Sequence, residues 1–376
     1  MISNPYIYLL TLAFIATALY SIETKLKFRV FKLVPAIVMI YASSMILATS
    51  GVFEFNEEVN SIYKLTKSNL LPAMLFLMLM RIDFKHFFKL GKSLLIAYVL
   101  AVLSLGIGFI VVAIIFNFSP EMSAAFGALA GSWMGGTANM IAVGSALGVS
   151  EEAFAYAFVV DSVNYTLWVM LLLFLVPFAK YFNKFTSSDT NLAYVSDIAC
   201  ACNMGAKRYW LLILLSLVAS FLAQYISTII SILNTPTTTV IMATLLGIGA
   251  SFTKLKDLNG SSEVATSMLY IIIALIGSKA VIQSFSGLGV YVGAGFSILA
   301  IHAAIMIVGA KVFKLDLFSI AVASLSNIGG VASAPILAAT YNKNLVSVGV
   351  LMAIMGYIIG TFGGLLVGNI LIGITS

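Results

Sequence analysis

Charged residues are scarce in this sequence of 376 residues. Asp, Glu, Lys and Arg together make up 9% of the chain, whereas hydrophobic residues make up 61%. A soluble domain carries about 25% charged residues, so this composition cannot cover a surface that faces water. The apolar residues also come in long runs rather than in alternation, which excludes a membrane β-barrel.

Several kinds of functional residue are also scarce or missing. The two cysteines, Cys200 and Cys202, lie in one polar loop, too close for an ordinary disulfide and without a second ligand pair for zinc. We assign them no role. No Walker A, Gly-x-Ser-x-Gly or His-Glu-x-x-His pattern occurs, so we predict neither an enzyme nor a cofactor. The net charge of +6 is spread over short loops, so it does not predict nucleic-acid binding.

What the sequence does contain is a series of twelve apolar segments. A membrane-spanning helix needs about 20 apolar residues, so these segments predict a polytopic helical protein embedded in a lipid bilayer. The first segment has no Lys or Arg before it and four after it, between Lys25 and Lys32. This polarity predicts an uncleaved span in the cell (inner or cytoplasmic) membrane, with the N-terminus outside. The segments are 5–22, 33–51, 69–80, 93–116, 122–148, 153–182, 208–232, 236–253, 264–283, 287–311, 317–341 and 345–374.

The distribution of Lys and Arg indicates that not every segment crosses the bilayer. If all twelve crossed, the 20 basic residues would divide evenly between the two sides, against the positive-inside rule. If segments 122–148 and 317–341 each enter and leave on the same side, seventeen of the 20 lie inside. We therefore predict an all-α fold with about ten crossings and two re-entrant hairpins. Two alternatives stay open: both segments are ordinary spans packed through small residues, or each is a crossing helix unwound at its middle.

The two exceptional segments share a motif of paired glycines among small polar residues. One reads Gly-Ser-Trp-Met-Gly-Gly-Thr-Ala-Asn-Met at 131–140, and the other reads Ser-Leu-Ser-Asn-Ile-Gly-Gly-Val-Ala-Ser-Ala-Pro at 324–335. Glycine and proline are unfavourable inside a straight helix. Ser132 to Ala138 aligns with Ser326 to Ala332, an offset of about half the chain.

This offset predicts an internal repeat. The first repeat covers 1–182 with its hairpin, a cytoplasmic linker covers 183–207, and the second repeat covers 208–376. Each repeat has five crossings, an odd number, so the second repeat is inverted relative to the first. Inverted repeats with broken backbone near the membrane centre are typical of secondary transporters.

The glycine tips of the two hairpins are the predicted substrate site. Irregular backbone at that depth is tolerated only where protein or a watery cavity satisfies its polar groups. Helix N-termini at a tip favour an anionic solute, and unwound carbonyls favour Na⁺. The predicted substrate-binding residues, all uncharged, are Ser132, Gly135, Gly136, Thr137, Asn139, Ser326, Asn327, Gly329, Gly330 and Ser333.

Asp161 is the strongest single candidate for coupling transport to an ion. It lies inside the apolar run 153–182, where a charged side chain is costly and usually functional. Asn164 and Tyr165 follow three and four residues later, so on a helix they share its face. We predict that Asp161 and Asn164 handle Na⁺ or H⁺. The competing interpretation is a structural carboxylate near the outer interface.

Other ionisable residues are weaker candidates. Lys279 lies near the end of its segment and can reach the membrane interface. His302 lies in the middle of its segment, where we expect a hydrogen-bonded packing role rather than a proton relay. A polar group that we interpret as an inner-face anchor consists of Arg81, Asp83, Lys85 and His86.

Taken together, the two glycine motifs and Asp161 resemble the YjcL-like integral membrane family, whose function is largely unknown. The similarity covers almost the whole chain. The resemblance extends distantly to cation/proton antiporters and bile-acid sodium symporters, whose two discontinuous helices cross. It extends also to sodium-coupled glutamate and citrate carriers, whose paired glycine elements are re-entrant. Both groups imply elevator-like motion of a core against a dimeric scaffold, so the resemblance implies a homodimer.

Three functions are therefore compared. The first is a Na⁺- or H⁺-coupled symporter for a small polar or anionic solute, favoured by the repeats and the uncharged tips. The second is a cation/proton antiporter that uses Asp161, although such exchange usually needs a titrating cluster. The third is a non-transporting membrane scaffold or receptor, which has no need for paired breaks in the backbone.

Overall fold

The structure is a computed structural model that describes most of the chain. The described residues are 1–26, 36–81, 90–188, 205–230, 234–280, 287–342 and 345–375. Several residues discussed above lie outside these ranges: Asp83, Lys85, His86, Cys200, Cys202 and most of the predicted linker 183–207.

The described residues form an all-helical fold, with one isolated bridge between Ile2 and Phe53 as the β-structure among them. Most helices begin within three residues of the start of a predicted apolar segment. No water is present in the apolar part of a membrane, so the backbone there satisfies its own hydrogen bonds by forming a helix. The helices are α1 Pro5–Ser21, α2 Ala36–Thr49, α3 Glu57–Leu79, α4 Lys92–Ile115, α5 Pro120–Gly135, α6 Thr137–Ala146, α7 Glu151–Leu175, α8 Ala179–Thr186, α9 Ala206–Ile229, α10 Thr235–Ser251, α11 Ser261–Lys279, α12 Leu288–Phe313, α13 Leu317–Ile328, α14 Gly330–Tyr341 and α15 Val346–Thr375.

Seven stretches within the described ranges are long and apolar enough to cross a membrane. Such a number of apolar helices makes this a multi-pass membrane protein. The stretches are Pro5–Thr24, Lys92–Ile115, Glu151–Thr186, Ala206–Ile229, Ser261–Lys279, Leu288–Phe313 and Val348–Thr375.

Helix α3 is about twice as long as the apolar segment 69–80 predicts. It begins at Glu57, where the side chain of Asn56 accepts a hydrogen bond of 2.8 Å from the backbone N–H of Val59. This cap starts the helix in a polar stretch that a search for apolar runs does not detect. Pro72 lies inside the helix without ending it.

The helices group into two compact units, and each half of the sequence contributes to both. Unit 1 contains residues 1–81, 150–156 and 202–286, and unit 2 contains the rest. In terms of helices, unit 1 holds α1–α3 and α9–α11, whereas unit 2 holds α4–α6, α8 and α12–α15. Helix α7 begins in unit 1 and continues in unit 2, which contains its Asp161. The predicted division into repeats follows the sequence instead, and it stays a prediction.

Helices α5 and α6, in unit 2, fold back on each other. A Cβ added to Gly131 would lie 2.9 Å from a methyl carbon of Val143, and one added to Gly127 would lie 2.9 Å from a methyl carbon of Leu147. In a straight helix, residues 131 and 143 would be about 18 Å apart. The segment therefore has the antiparallel geometry of a hairpin.

Helices α13 and α14 fold back in the same way. The ring centroids of Phe318 and Tyr341, at the two far ends of this pair, are 5.2 Å apart. Along one continuous helix these residues would be separated by about 34 Å. Both glycine segments are thus helical hairpins, and neither is a straight helix or a broken helix that continues onward. Their relation to the bilayer is part of the proposal below.

The first hairpin is packed against α15 along a seam of glycines. Gly127 and Gly131 on α5 lie opposite Gly368 and Gly364 on the antiparallel α15. A Cβ on Gly127 would lie 2.5 Å from the Cα of Gly368, and one on Gly364 would lie 2.6 Å from the Cα of Gly131. The two backbones are therefore in direct contact, as in the small-residue helix pairs of membrane proteins.

Candidate functional site

Each hairpin turns at a glycine that needs a positive φ. Gly136, between α5 and α6, has φ +94° and ψ 171°, and Gly330, at the start of α14, has φ +57°. The conformation of Gly136 is essentially restricted to glycine, because any Cβ would clash with the backbone. The two positions are offset by the same number of residues as the aligned motifs. The second glycine of each pair is therefore the one that makes the turn.

The two tips lie next to each other. A Cβ added to Gly330 would be 4.0 Å from the Cα of Gly136. Helix α15 passes beside both tips, since a Cβ on Gly356 would lie 3.1 Å from the Cα of Gly135 and 3.5 Å from the carbonyl oxygen of Ser326. The structure thus brings together the two motifs that the sequence places in different halves.

Asp161 on α7 joins the first hairpin through both of its carboxylate oxygens. Trp133 Nε1 donates to Oδ1 at 2.8 Å, and Ser132 Oγ donates to Oδ2 at 3.1 Å. A carboxylate has about four acceptor positions, so two remain after these bonds. Asp161 is half-buried rather than sealed. It can therefore accept a further donor, a proton or a cation.

The next turn of α7 contacts the second hairpin. A Cβ on Gly329 would lie 2.7 Å from the ring of Tyr165, and the hydroxyl of Ser333 occupies the space beside the same glycine. Asp161 and Tyr165 are four residues apart, so they point from one face of α7. This face connects the two hairpins.

The predicted tip residue Asn139 is occupied by contacts within the protein. Its Nδ2 donates to the carbonyl of Gly135 at 2.9 Å, and its Oδ1 accepts from Thr361 Oγ1 at 2.7 Å. Asn139 therefore fastens the turn of the first hairpin to α15. Thr137, at the start of α6, is half-buried and lies directly after the turn.

The second tip carries polar atoms that lack a partner. Ser326 and Asn327 are fully buried, and within the described ranges Ser326 Oγ and Asn327 Oδ1 have no hydrogen bond. Asn327 uses only its Nδ2, which donates to the carbonyl of Ala323 at 2.8 Å. Leaving a buried polar group unsatisfied costs about 1–3 kcal/mol. These two oxygens are therefore candidates to bind a ligand.

Asn164 makes its contacts with a different element. Its Nδ2 donates to the carbonyl of Val160 at 2.9 Å and to that of Val292 on α12 at 3.5 Å, and a Cβ on Gly295 would touch the same amide. Its Oδ1 has no partner among the residues the structure describes. Asn164 thus links α7 to α12, whereas the prediction groups it with Asp161.

The ionisable residues that we rank lower are also held by neighbours. His302 is buried, with Nδ1 2.7 Å from Ser104 Oγ and Nε2 2.8 Å from Ser324 Oγ, in agreement with the predicted hydrogen-bonded state. Lys279, in unit 1, donates to Asn60 Oδ1, and its amine lies 3.7 Å from the ring centroid of Phe55. Within the described part of the chain, no three His, Cys, Asp or Glu side chains converge as a metal site would require.

Sequence reasoning missed two parts of this site. One is Trp133, which stands in the quoted motif and holds Asp161. An indole N–H inside an apolar segment needs an acceptor, and the nearby lone aspartate was a signal for that pairing. The other is α15, which supplies Thr361 and the glycine seam. Its glycines at 356, 360, 364 and 368 recur every four residues, which predicts a close helix contact.

The fold and the site define a polytopic α-helical membrane protein with two glycine-tipped hairpins. The chain belongs to the family described as "Protein of unknown function (DUF819)", whose model matches residues 10–374. It is also similar to the "Uncharacterized membrane protein YjcL" of Bacillus subtilis (strain 168). The two are 23% identical over 378 residues, which cover 94% of this chain and 93% of the relative.

Proposed function

We propose that this protein is a secondary active transporter that carries a small polar or anionic solute by symport with Na⁺ or H⁺. One observation carries the proposal: two helical hairpins from different halves of the chain meet at their glycine tips, beside the half-buried carboxylate of Asp161. Transporters bind their substrates where such breaks in helical backbone expose N–H and C=O groups. A membrane scaffold or receptor has no comparable need for paired breaks.

The tips offer neutral hydrogen-bonding groups to a solute. Ser326 Oγ and Asn327 Oδ1 lack partners among the described residues, and Thr137 lies at the N-terminus of α6. The N-termini of α6 and α14 both begin at the tips, and helix N-termini carry a partial positive charge. A small solute fits this combination if it carries an anionic group for the helix N-termini and a hydrogen-bond donor for the oxygen of Asn327.

Asp161 is the proposed coupling residue. Its two remaining acceptor positions would bind Na⁺ or take up a proton, while Trp133 and Ser132 hold the carboxylate in place. Binding of the ion would change the contact between α7 and the first hairpin. That contact is the link through which the ion and the solute affect each other.

The order of the helices supports inverted repeats and the proposed topology. In each half, three helices of unit 1 are followed in unit 2 by one helix, one hairpin and, in the first half partly, one long helix. We propose ten crossings, two hairpins that enter and leave the cell membrane on the same side, and the N-terminus outside. This topology places seventeen of the 20 Lys and Arg residues inside.

An elevator-like mechanism fits the separation into units. The hairpins and Asp161 all belong to unit 2, so the proposed site can move as one body. In unit 1, α9 carries exposed large apolar side chains such as Trp210, Leu214 and Phe221, which are 66%, 61% and 66% exposed. We propose that unit 1 is the scaffold and that a second copy of the chain pairs through it.

The test is uptake into proteoliposomes. A panel of labelled organic acids, amino acids and small peptides is offered with and without a Na⁺ gradient and a pH gradient. We expect one class of solute to accumulate only with one of the gradients, and Asp161→Asn to remove that gradient dependence. Glu152→Gln, an exposed carboxylate on the same helix, serves as the matched control and should leave uptake unchanged.

The same vesicles separate the other functions. Cation-dependent dissipation of a pH gradient without accumulation of any solute would instead indicate an antiporter. The absence of every flux from a protein that is folded and correctly inserted would favour a scaffold or receptor. If solute accumulates but Asp161→Asn behaves like Glu152→Gln, the coupling role of Asp161 is wrong.

A further inference from the structure

Unit 2 contains an apolar cavity that the proposed transport site does not use. Its volume is about 250 Å³, and it is lined by α7, α8, α12 and α13 with the residues between α7 and α8. Along α7 it extends from Trp168 to Leu175, which is about 10 Å of helix. Sites that enclose drug-sized ligands occupy roughly 300–1,000 Å³, so this cavity is smaller than such a site. Because its small volume extends over about 10 Å of helix, it fits a slender group better than a compact molecule.

At the end of the cavity near Trp168, the polar groups are hydrogen-bonded to one another. Trp168 Nε1 donates to Ser324 Oγ at 2.9 Å, and the same hydroxyl lies 2.8 Å from His302 Nε2. The other nitrogen of His302 lies 2.7 Å from Ser104 Oγ. None of these groups needs a ligand. Their neighbours are apolar, among them Leu172, Met306 and Ile320.

The cavity is open along one side. Leu171, Phe178 and Ile307 line it and are 43%, 45% and 45% exposed. An apolar cavity without unsatisfied polar groups does not hold ordered water. In a membrane, the apolar groups available to fill such a cavity are acyl chains.

Lysines cluster at the opposite end of the cavity from Trp168, near Phe178 and Phe182. Helices α7 and α12 both run toward this end: α7 continues into α8 with Lys180 and Lys184, and α12 ends with Lys311 and Lys314. Helix α13 starts at this end and runs the opposite way, because the N–H of Leu317 donates to Asn183 Oδ1 at 2.8 Å whereas Ser324 bonds Trp168. All four lysines are exposed. The neighbouring acid Asp316 is buried and caps α13 by accepting from the N–H of Ser319 at 2.9 Å. The described residues therefore present a positive charge beside an apolar opening.

We propose that this cavity binds one acyl chain of an anionic phospholipid, whose phosphate lies at the four lysines. Basic clusters beside membrane helices attract anionic headgroups, and each lysine contributes about fivefold to the preference. Lys311 also donates to the carbonyl of Phe185, so it joins α12 to α8 while it faces the headgroup. This inference does not depend on transport, because it uses none of the residues at the hairpin tips.

Trp168 provides a fluorescence probe at the end of the cavity away from the lysines. The full-length protein is placed in phosphatidylcholine nanodiscs that contain a minor fraction of phosphatidylglycerol brominated on its acyl chains. Bromine quenches a nearby indole, and subtracting the signal of Trp168→Phe isolates this residue from the other two tryptophans. We expect strong quenching of Trp168 by brominated phosphatidylglycerol and at least tenfold weaker quenching by brominated phosphatidylcholine at the same fraction.

Two sets of variants test the two parts of the proposal. The triple variant K180Q/K184Q/K314Q should lower the preference for phosphatidylglycerol about tenfold or more, and it leaves the Lys311 contact intact. The control K207Q/K254Q/K256Q removes the same charge from unit 1 and should keep the preference. Ala321→Leu, which adds volume inside the cavity, should reduce quenching by either lipid, whereas Ala206→Leu on exposed α9 should not.

Each result decides the proposal. Quenching that is equal for the two lipids, or that the lysine triple variant leaves unchanged, overturns the assignment of an anionic headgroup. Quenching of Trp168 by neither lipid, in a protein that retains its thermal transition, shows that no acyl chain enters the cavity. Native mass spectrometry of the purified protein provides a second readout, because a phosphatidylglycerol adduct should be present and should be lost in the triple variant.

Discussion

Trp133 Nε1 donates a hydrogen bond of 2.8 Å to Asp161 Oδ1, and this bond joins the first hairpin to α7. The indole is fully buried, whereas the carboxylate is half-buried. The bond therefore orients an ionisable group from its protected side and leaves its other side open. We therefore propose Trp133 as a positioning residue for Asp161, the residue proposed to bind the ion.

Trp133→Phe should separate these two roles. The variant keeps an aromatic ring, although a smaller one, and removes one hydrogen bond to a charged group, a loss of about 1.5–3 kcal/mol. We expect the apparent affinity for the coupling ion to fall about tenfold or more, while uptake still depends on that ion. Asp161→Asn should remove the dependence itself. Transport titrations in proteoliposomes measure both, with Trp210→Phe on exposed α9 as the control. An unchanged ion affinity in Trp133→Phe would argue against positioning by this bond.

Gly136→Ala should impair the first hairpin through backbone strain alone. Outside the adjacent residues, no atom lies within 4 Å of the added Cβ, so the substitution causes no collision with another part of the protein. The conformation with φ +94° and ψ 171° is nevertheless unfavourable for alanine, by about 1–3 kcal/mol. We expect a lower melting temperature and a loss of transport. Gly249→Ala is equally free of neighbours but lies within helix α10, and it should be tolerated. Equal behaviour of the two variants would contradict the strained turn.

Gly364→Ala should disrupt the seam between α5 and α15. The new Cβ would lie 2.6 Å from the Cα of Gly131, and neither backbone can yield without moving a helix. Overpacking of this kind costs about 1–3 kcal/mol. Gly373→Ala lies on the same helix with nothing within 4 Å and should be neutral or slightly stabilising. Thermal unfolding in detergent compares the pair, and a destabilised Gly373→Ala beside a normal Gly364→Ala would refute the seam.

Ser324→Ala should destabilise unit 2. Its hydroxyl accepts from Trp168 and bonds His302, so its removal leaves two buried polar groups without this partner. We expect a loss of about 1–3 kcal/mol in the free energy of unfolding. Ser297→Ala is the control, because that hydroxyl donates only to the carbonyl of Gly293 one turn earlier on α12. A thermal melt that ranks the two variants equally would show that the network contributes little.

Cysteine labelling tests the sidedness of the first hairpin. In a background with Cys200 and Cys202 replaced, Glu121→Cys and Ser150→Cys should both react with a membrane-impermeant maleimide from outside intact cells. Lys254→Cys should react only after the cells are opened. All three positions are exposed. Reaction of Glu121→Cys and Ser150→Cys from opposite sides would show that the segment between them crosses the bilayer.

Composition alone was enough to predict the class of fold. With 61% hydrophobic residues, the chain has to form helices that satisfy their own backbone, and the apolar runs located most of them. The paired glycines correctly marked where the helices break. In the structure, the second glycine of each pair makes the turn, at Gly136 and Gly330, where φ is positive.

The partners of the site were harder to predict because they depend on tertiary contacts. The role of Asn139 in binding substrate stays a prediction, and the sequence did not show that Thr361, more than 200 residues later, donates to its Oδ1. Asn164 shares a sequence neighbourhood with Asp161, but α12 takes its Nδ2. Helical spacing gives the direction in which a side chain points and does not give what it meets. The polar first half of α3 was missed for another reason, since its cap at Asn56 adds turns that carry little apolar signal.

The glycine seam limits which part of unit 2 can rearrange. Because no side chains stand between α5 and α15, α5 cannot rotate about its axis without bringing Ala128 or Ser132 into a gap that admits only hydrogen atoms. The second hairpin meets the same helix at a backbone contact, because a Cβ on Gly349 would lie 2.7 Å from the carbonyl oxygen of Ala334. A movement of the first hairpin therefore involves α15 and, through it, the second hairpin.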